Sequence, residues 1–307
     1  MPALMRAFFM FLDSWVFWTL LAATMQSVRT AGQKELARTV SPLAATMVRY
    51  LFGLPFAVLY LGLLLQVSGV DLPPVNPVFL LCGLAAGFLQ IIATVLLVRL
   101  FTLRNFAVGS TYVRTEVILT AIIGFLFFTE TVSAPGWIAI LVSVAGVMTI
   151  NVARTGRVSS LWDQSALFGL GAGLAFALTS LFIRKASLSF GIDDSMLTAA
   201  LTLCYMVALQ TLMTVVWVGR FERGQFSLVV ANWRPSLFVG VTSVIGSAGW
   251  FTAMTLELAS YVKTLGQIEF LITLSIGWFY FRERPGRLEY LGMFLILAGV
   301  VVLLLSH

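Results

Sequence analysis

Two glutamates, Glu116 and Glu269, lie deep in runs that are otherwise almost without charge. A carboxylate withdrawn from water is costly unless a cation, a proton or a polar chamber compensates it, so such residues are where chemistry is to be sought. At about 100° per residue, Gly109, Tyr112, Glu116, Thr120 and Ile123 form one helical stripe. Val262, Leu265, Glu269, Thr273 and Ile276 form its counterpart. Three chemistries fit this pair. The carboxylates could neutralise an amine or quaternary ammonium, with Tyr112 and Trp250 supplying cation–π faces. They could relay protons, each taking up and releasing one as its surroundings change. Or they could pair permanently with arginines such as Arg114, Arg49 or Arg99.

Other polar residues share these surroundings. Arg49, inside the second apolar run, and Lys263, about one and a half turns before Glu269, are placed to meet an anionic group such as a carboxylate. Gln90 adds an uncharged donor and acceptor in the third run. Arg114 and Gln267 sit about 160° round from the glutamates and are expected to meet a neighbouring helix. Lys34 and Lys185, near the ends of their runs, read as snorkelling to headgroups, and Glu130 and Glu283 as fixing turns. Glutamates of one sign with Arg49 and Lys263 of the other suit a chamber for a zwitterion or small amino-acid-like metabolite. A metal centre or a histidine-based triad is not expected, since His307 is the only histidine and Cys82 and Cys204 lie in apolar stretches. Gly169, Gly171 and Gly173 lack the preceding strand and following Lys-Ser/Thr of a phosphate loop. The chain therefore reads as a non-enzyme without cofactor.

The elements that must position these residues are helices in a membrane. Of 307 residues, 60% are hydrophobic and 10% charged, against roughly a quarter charged in soluble proteins, which excludes a soluble globular domain. The net charge of +6 comes from 19 Lys and Arg scattered singly or in pairs, so no nucleic-acid-binding face assembles, and anionic lipid headgroups are the expected counterpart. Spanning a bilayer takes roughly 20 apolar residues, and ten such segments recur. They cover 14–33, 42–66, 77–101, 107–128, 134–152, 164–186, 195–219, 235–257, 260–281 and 286–306. Prolines 42, 77, 135, 235 and 285 mark helix starts, and Pro55, deep in the second segment, predicts a kink there. No cleaved signal peptide is expected in the first 13 residues, because no small-residue site follows Arg6.

The segments repeat. A shift of 153 lays Glu116 on Glu269, Thr120 on Thr273, Gly124 on Gly277, Glu130 on Glu283, and Ala145-Gly146-Val147 on Ala298-Gly299-Val300. A slightly different shift lays Phe17 on Phe168 and Lys34 on Lys185. Five crossings per copy start the second copy on the opposite side, so residues 1–153 and 154–307 are expected to form two inverted five-helix repeats around a midplane site. Lys and Arg favour the odd-numbered loops, which by charge alone puts both termini outside.

With Lys34, Pro42 and Arg49 in KELARTVSPLAATMVRY, and with Glu130 or Glu283 ahead of a Gly-rich last helix in each half, the chain resembles the drug/metabolite transporter superfamily, EamA type. The resemblance implies an all-α membrane fold of ten helices, a central cavity shared by the halves, and transport, usually export, of amino acids, metabolites or drugs across a bacterial cytoplasmic membrane. It more often implies cytoplasmic termini, which leaves the side open. Members often carry a proline just after the glutamate positions, where this chain has Val117 and Phe270. The leading expectation is a gradient-driven or exchange transporter working by alternating access, with protons coupled through the glutamates. Its partners are a small-molecule substrate, lipids and protons, and it acts as monomer or homodimer. The rival within transport is a carrier of anionic or sugar-nucleotide metabolites using Arg49, Arg99, Arg114 and Lys263; outside it stand a non-transporting subunit or sensor and an intramembrane lipid enzyme.

Overall fold

The computed structural model describes residues 14–70, 72–100, 112–155, 164–272 and 286–306, and these contain helices and no strand. In chain order the helices are α1 (Trp15–Leu36), α2 (Pro42–Leu51), α3 (Leu54–Ser68), α4 (Pro77–Leu100), α5 (Glu116–Phe127), α6 (Ala134–Thr155), α7 (Gln164–Leu188), α8 (Ser195–Phe221), α9 (Gln225–Ala231), α10 (Trp233–Leu256), α11 (Ala259–Gly266) and α12 (Arg287–Leu305). Six described stretches are long and apolar enough to cross a membrane: Pro42–Ser68, Pro77–Leu100, Ala166–Leu188, Ser195–Phe221, Trp233–Leu256 and Arg287–Leu305. Large apolar side chains stay exposed along several of them, among them Leu59, Leu63, Phe88 and Phe294. Surfaces of this kind need lipid rather than water.

Local sequence explains where the helices start and break. Ser41 caps α2 by accepting the Ala44 N–H at 3.1 Å, with Pro42 at the first helical position. Asp194 likewise caps α8 through the Leu197 N–H at 2.9 Å. The expected kink in the second segment falls at Phe52-Gly53, between α2 and α3. Pro55 has no N–H to continue the ladder. A Cβ on Gly53 would lie 2.7 Å from the Arg49 carbonyl oxygen and 2.8 Å from Val244, so this corner also requires the smallest residue. Helix α9 falls where the sequence predicts only a connector between 219 and 235. It is held by tertiary contacts: Gln225 accepts the Ser41 N–H at 2.8 Å, Glu222 accepts the Ser41 hydroxyl, and Val229 is buried.

The helices form two compact units, and each draws on both halves of the chain. The first comprises Met1–Phe88 with Phe182–Leu258. Its most extensive packing is α1 on α10, and α8 lies against α2, α3 and α10. Arg184 donates to the carbonyls of Met254, at 2.7 Å, and Glu257, tying the exposed C-terminal carbonyls of α10 to a cation.

The second unit comprises Leu89–Leu181 with Ala259–His307. Here α6 packs most extensively on α12, and α11 lies against α5 and α6. The α6–α12 contact is made backbone to backbone. A Cβ on Gly146 would lie 2.7 Å from the Gly292 carbonyl oxygen, and one on Gly292 would lie 2.6 Å from that of Gly146. Small residues allow such an approach between membrane helices. Gly292→Leu should therefore lower stability in detergent by about 1–3 kcal/mol, read as a fall in the unfolding midpoint. Gly62→Ala, at a position with nothing within 4 Å, should leave the midpoint unchanged or raise it, as alanine is the better helix former.

Candidate ion-pair site in the second unit

The fourth and ninth segments are both interrupted just before their glutamates. The chain is helical at 112–113, turns at Arg114-Thr115, and becomes helical again from Glu116, the first residue of α5. In the other copy α11 ends at Gly266, Gln267 forms the turn, and 268–272 is helical. The backbone closes in the same tight way at both places, Val117 N–H on the Arg114 carbonyl at 3.4 Å and Phe270 N–H on the Gln267 carbonyl at 3.0 Å. These bonds span three residues instead of four, as in a 3₁₀ turn. Without prolines at 117 and 270 a proline kink is not available, yet both copies break at equivalent positions. Thr115 reinforces the first break, its hydroxyl donating to the Tyr112 carbonyl at 2.7 Å.

The continuous-helix reading turns Arg114 about 160° away from the glutamate stripe. In the structure Arg114 Nη1 donates to Glu269 Oε2 at 3.1 Å, while Lys263 Nζ stands 3.6 Å from Glu116 Oε1. Each glutamate is thus countered by a cation from the other half of the sequence. All four side chains are largely buried, the most accessible being Arg114 at 18%. Aromatic faces flank both cations: the Arg114 guanidinium lies 4.5 Å from the Phe270 ring centre, and Lys263 Nζ 5.8 Å from that of Phe176. Two carboxylates and two cations make the cluster formally neutral, which lowers the cost of holding it out of water.

Of the other residues singled out from sequence, Tyr112, Thr120 and Gln90 belong to this unit. Tyr112 and Gln90 are half-buried, whereas Thr120 is fully buried and spends its hydroxyl on the Glu116 carbonyl at 2.6 Å. Thr273 and Glu283 lie outside the described residues. Glu130 is buried at the turn after α5, and Oε1 accepts the Ala259 N–H of α11 at 3.5 Å. Arg49 and Trp250 belong to the first unit. There Arg49 Nη2 donates to Ser247 Oγ at 3.3 Å, and Trp250 Nε1 to Gln26 Oε1 at 3.0 Å. Arg99 is exposed at the end of α4.

Gln267 is more deeply buried than its place at a turn suggests, and Gln26 and Arg29 are polar residues of α1 that sequence reasoning did not single out. Gln267 is 1% exposed, and neither its amide nitrogen nor its oxygen has a hydrogen-bond partner. A shift of 153 already pairs it with Arg114, a signal for a polar role at that turn. Gln26 and Arg29 lie with Gln33 on one face of α1, at i, i+3 and i+7, a spacing visible in the sequence.

Six described stretches long and apolar enough to span a bilayer mark the molecule as a membrane protein. Residues 13–152 and again 164–305 match the EamA-like transporter family, and the chain belongs to that family of membrane transporters. One solved structure, described only as the crystal structure of a protein, shares the fold with a TM-score of 0.71 at 16% identity, covering 95% of this chain and 98% of its own. No curated protein matches the sequence.

Because the ion pairs are buried, removing one partner strands a charge. Lys263→Met should cost about 3 kcal/mol, measured by unfolding in mixed micelles, whereas Lys34→Met, at an exposed position, should stay within about 0.5 kcal/mol of the parent.

Proposed function

We propose that the protein is a secondary transporter, of ten helices in two inverted repeats, that moves a small amino-acid-like or drug-like metabolite across a bacterial cytoplasmic membrane by alternating access. The family assignment supports membrane transport. The observation that carries the finer reading is the neutral set Glu116–Lys263 and Glu269–Arg114 beside the two helix breaks. A zwitterion can enter such a set by exchanging partners, its ammonium taking a carboxylate and its own carboxylate taking the released cation, with no net charge left buried. Protonation of Glu116 releases Lys263 in the same way, which couples a proton to substrate occupancy. Interrupted helices supply backbone groups at membrane depth where a substrate must be held, as in other carriers with broken helices. Export is the direction the family resemblance favours. Because Arg114 and Lys263 are already held on carboxylates, they are poorly placed to serve a polyanion such as a sugar nucleotide, which favours the zwitterion.

The test is uptake of amino acids and small amines into proteoliposomes across a range of imposed pH gradients. Glu116→Gln and Glu269→Gln should each reduce transport by more than about tenfold, the loss expected when a transition-state or coupling interaction worth 1.4 kcal/mol or more is removed, and should flatten its pH dependence. Full, pH-dependent transport in both variants would overturn the proposal.

A further inference from the structure

At the end of the first unit where α8, α9 and α10 meet lies a surface that the glutamate mechanism does not use. Helices α8 and α10 are both long and apolar enough to span a bilayer, and α8 ends at Phe221 shortly before α10 begins at Trp233. The seven-residue α9 links these two ends, so it lies at the bilayer boundary. The turn between α1 and α2 comes to the same place, since Ser41 donates its N–H to Gln225 Oε1 at 2.8 Å and its hydroxyl to Glu222.

Apolar and basic side chains cover this corner together. On α8, Leu212, Val216 and Arg220 follow one another at i, i+4 and i+8, with Trp217 and Phe221 alongside, and all five are exposed. The Trp217 and Phe221 rings pack at 4.9 Å between centres. The Arg220 guanidinium lies 5.4 Å from the Phe221 ring centre, and that of Arg234, at the start of α10, lies 5.4 Å from the ring centre of exposed Trp233. Helix α9 adds exposed Leu228 and Val230. Cations on aromatic rings at the end of an apolar stripe match the change from headgroup to acyl chain at a bilayer boundary.

The charge is one-sided. Arg220, Arg223 and Arg234 are exposed, and among the described residues none of the three is in a salt bridge. Arg223 places Nε on the Gly219 carbonyl at 2.9 Å, which leaves its two terminal nitrogens for another acceptor. Of the carboxylates here, Glu222 takes the Ser41 hydroxyl and Glu35 is paired with Arg38 at 2.9 Å. With Lys34, the corner has five cations against these two carboxylates. At the opposite end of the unit Ser187 of α7 bonds to Thr198 of α8 at 3.1 Å, and Arg184 holds the last carbonyls of α10. There Asp193, Asp194 and Glu257 outnumber Arg184 and Lys185.

We propose that the α8–α9–α10 corner is a docking surface for anionic phospholipid. The forked N–H groups of Arg220, Arg223 and Arg234 take the phosphodiester oxygens, and an acyl chain runs along Leu212 and Val216. A zwitterionic lipid offers the same phosphate with a cation attached, so net negative charge decides the preference. The proposal does not rest on the transport reading and is tested without transport.

The full chain in dodecyl maltoside is titrated with dihexanoyl phosphatidylglycerol, with dihexanoyl phosphatidylcholine and with glycerol 3-phosphate at equal ionic strength, and its thermal unfolding is followed. Phosphatidylglycerol should raise the midpoint saturably, and the other two should not. The concentration for half the effect should rise about fivefold in Arg220→Gln and in Arg234→Gln, as expected for one basic residue lost from an anionic surface, and more than about tenfold in the double variant. Arg287→Gln, which removes an exposed arginine from the second unit, should bind as the parent does. Because all three positions are exposed, the variants should fold as the parent does. An equal effect of phosphatidylcholine or of glycerol 3-phosphate, parent-like binding in the double variant, or as large a loss in Arg287→Gln would each overturn the surface.

Discussion

A charge at bilayer depth has to be neutralised where it stands, and in the second unit this is done by two ion pairs that cross between copies of one sequence motif. Glu116 is met by Lys263 and Glu269 by Arg114, so neither copy is electrostatically complete alone. Desolvation explains the company these residues keep: aromatic rings against the cations, and threonine hydroxyls turned onto their own backbone instead of toward the charges. It also explains why duplication can be retained while residue identity drifts. Arg114 and Gln267 occupy equivalent turns, yet only one is charged, because Lys263 supplies the second cation from elsewhere on its segment.

The helices divide the work. Long continuous ones make the scaffold, α6 against α12 and α1 against α10, with backbones close enough that glycine is required at Gly146 and Gly292. The interrupted ones carry the charges. Helix α5 starts at Glu116 itself, so the carboxylate lies in its first turn, at the positive end of the helix dipole. In the first unit the break between α2 and α3 follows Arg49 by one turn, which again places irregular backbone beside a buried charge.

Much of this was legible in the sequence because membrane helices announce themselves by length and hydropathy. Apart from the breaks before Glu116 and after Gly266, the described ends of the expected segments fall within three residues of their expected boundaries, and the kink near Pro55 follows from a missing N–H. What the sequence did not show is local and geometric. A wheel drawn through an unbroken helix sends Arg114 toward a neighbouring segment, but it does not say that the partner there is Glu269. No proline marks the two breaks, so their presence depends on hydrogen bonds such as that of Thr115, which composition does not reveal. Helix α9 escaped notice because its stability comes from Ser41 and its neighbours, far away in the chain. Arg29 and Gln26 were hidden by a first segment that reads as uniformly apolar until its polar face is counted.

The crossing of the ion pairs is the claim on which the functional account depends. A double-mutant cycle on Arg114→Met and Glu269→Gln, followed by equilibrium unfolding in mixed micelles, tests it most directly. The account predicts a coupling energy above about 1 kcal/mol, the double variant being less destabilised than the sum of the two singles. Additive effects within about 0.3 kcal/mol would show that the two side chains do not interact and would contradict it.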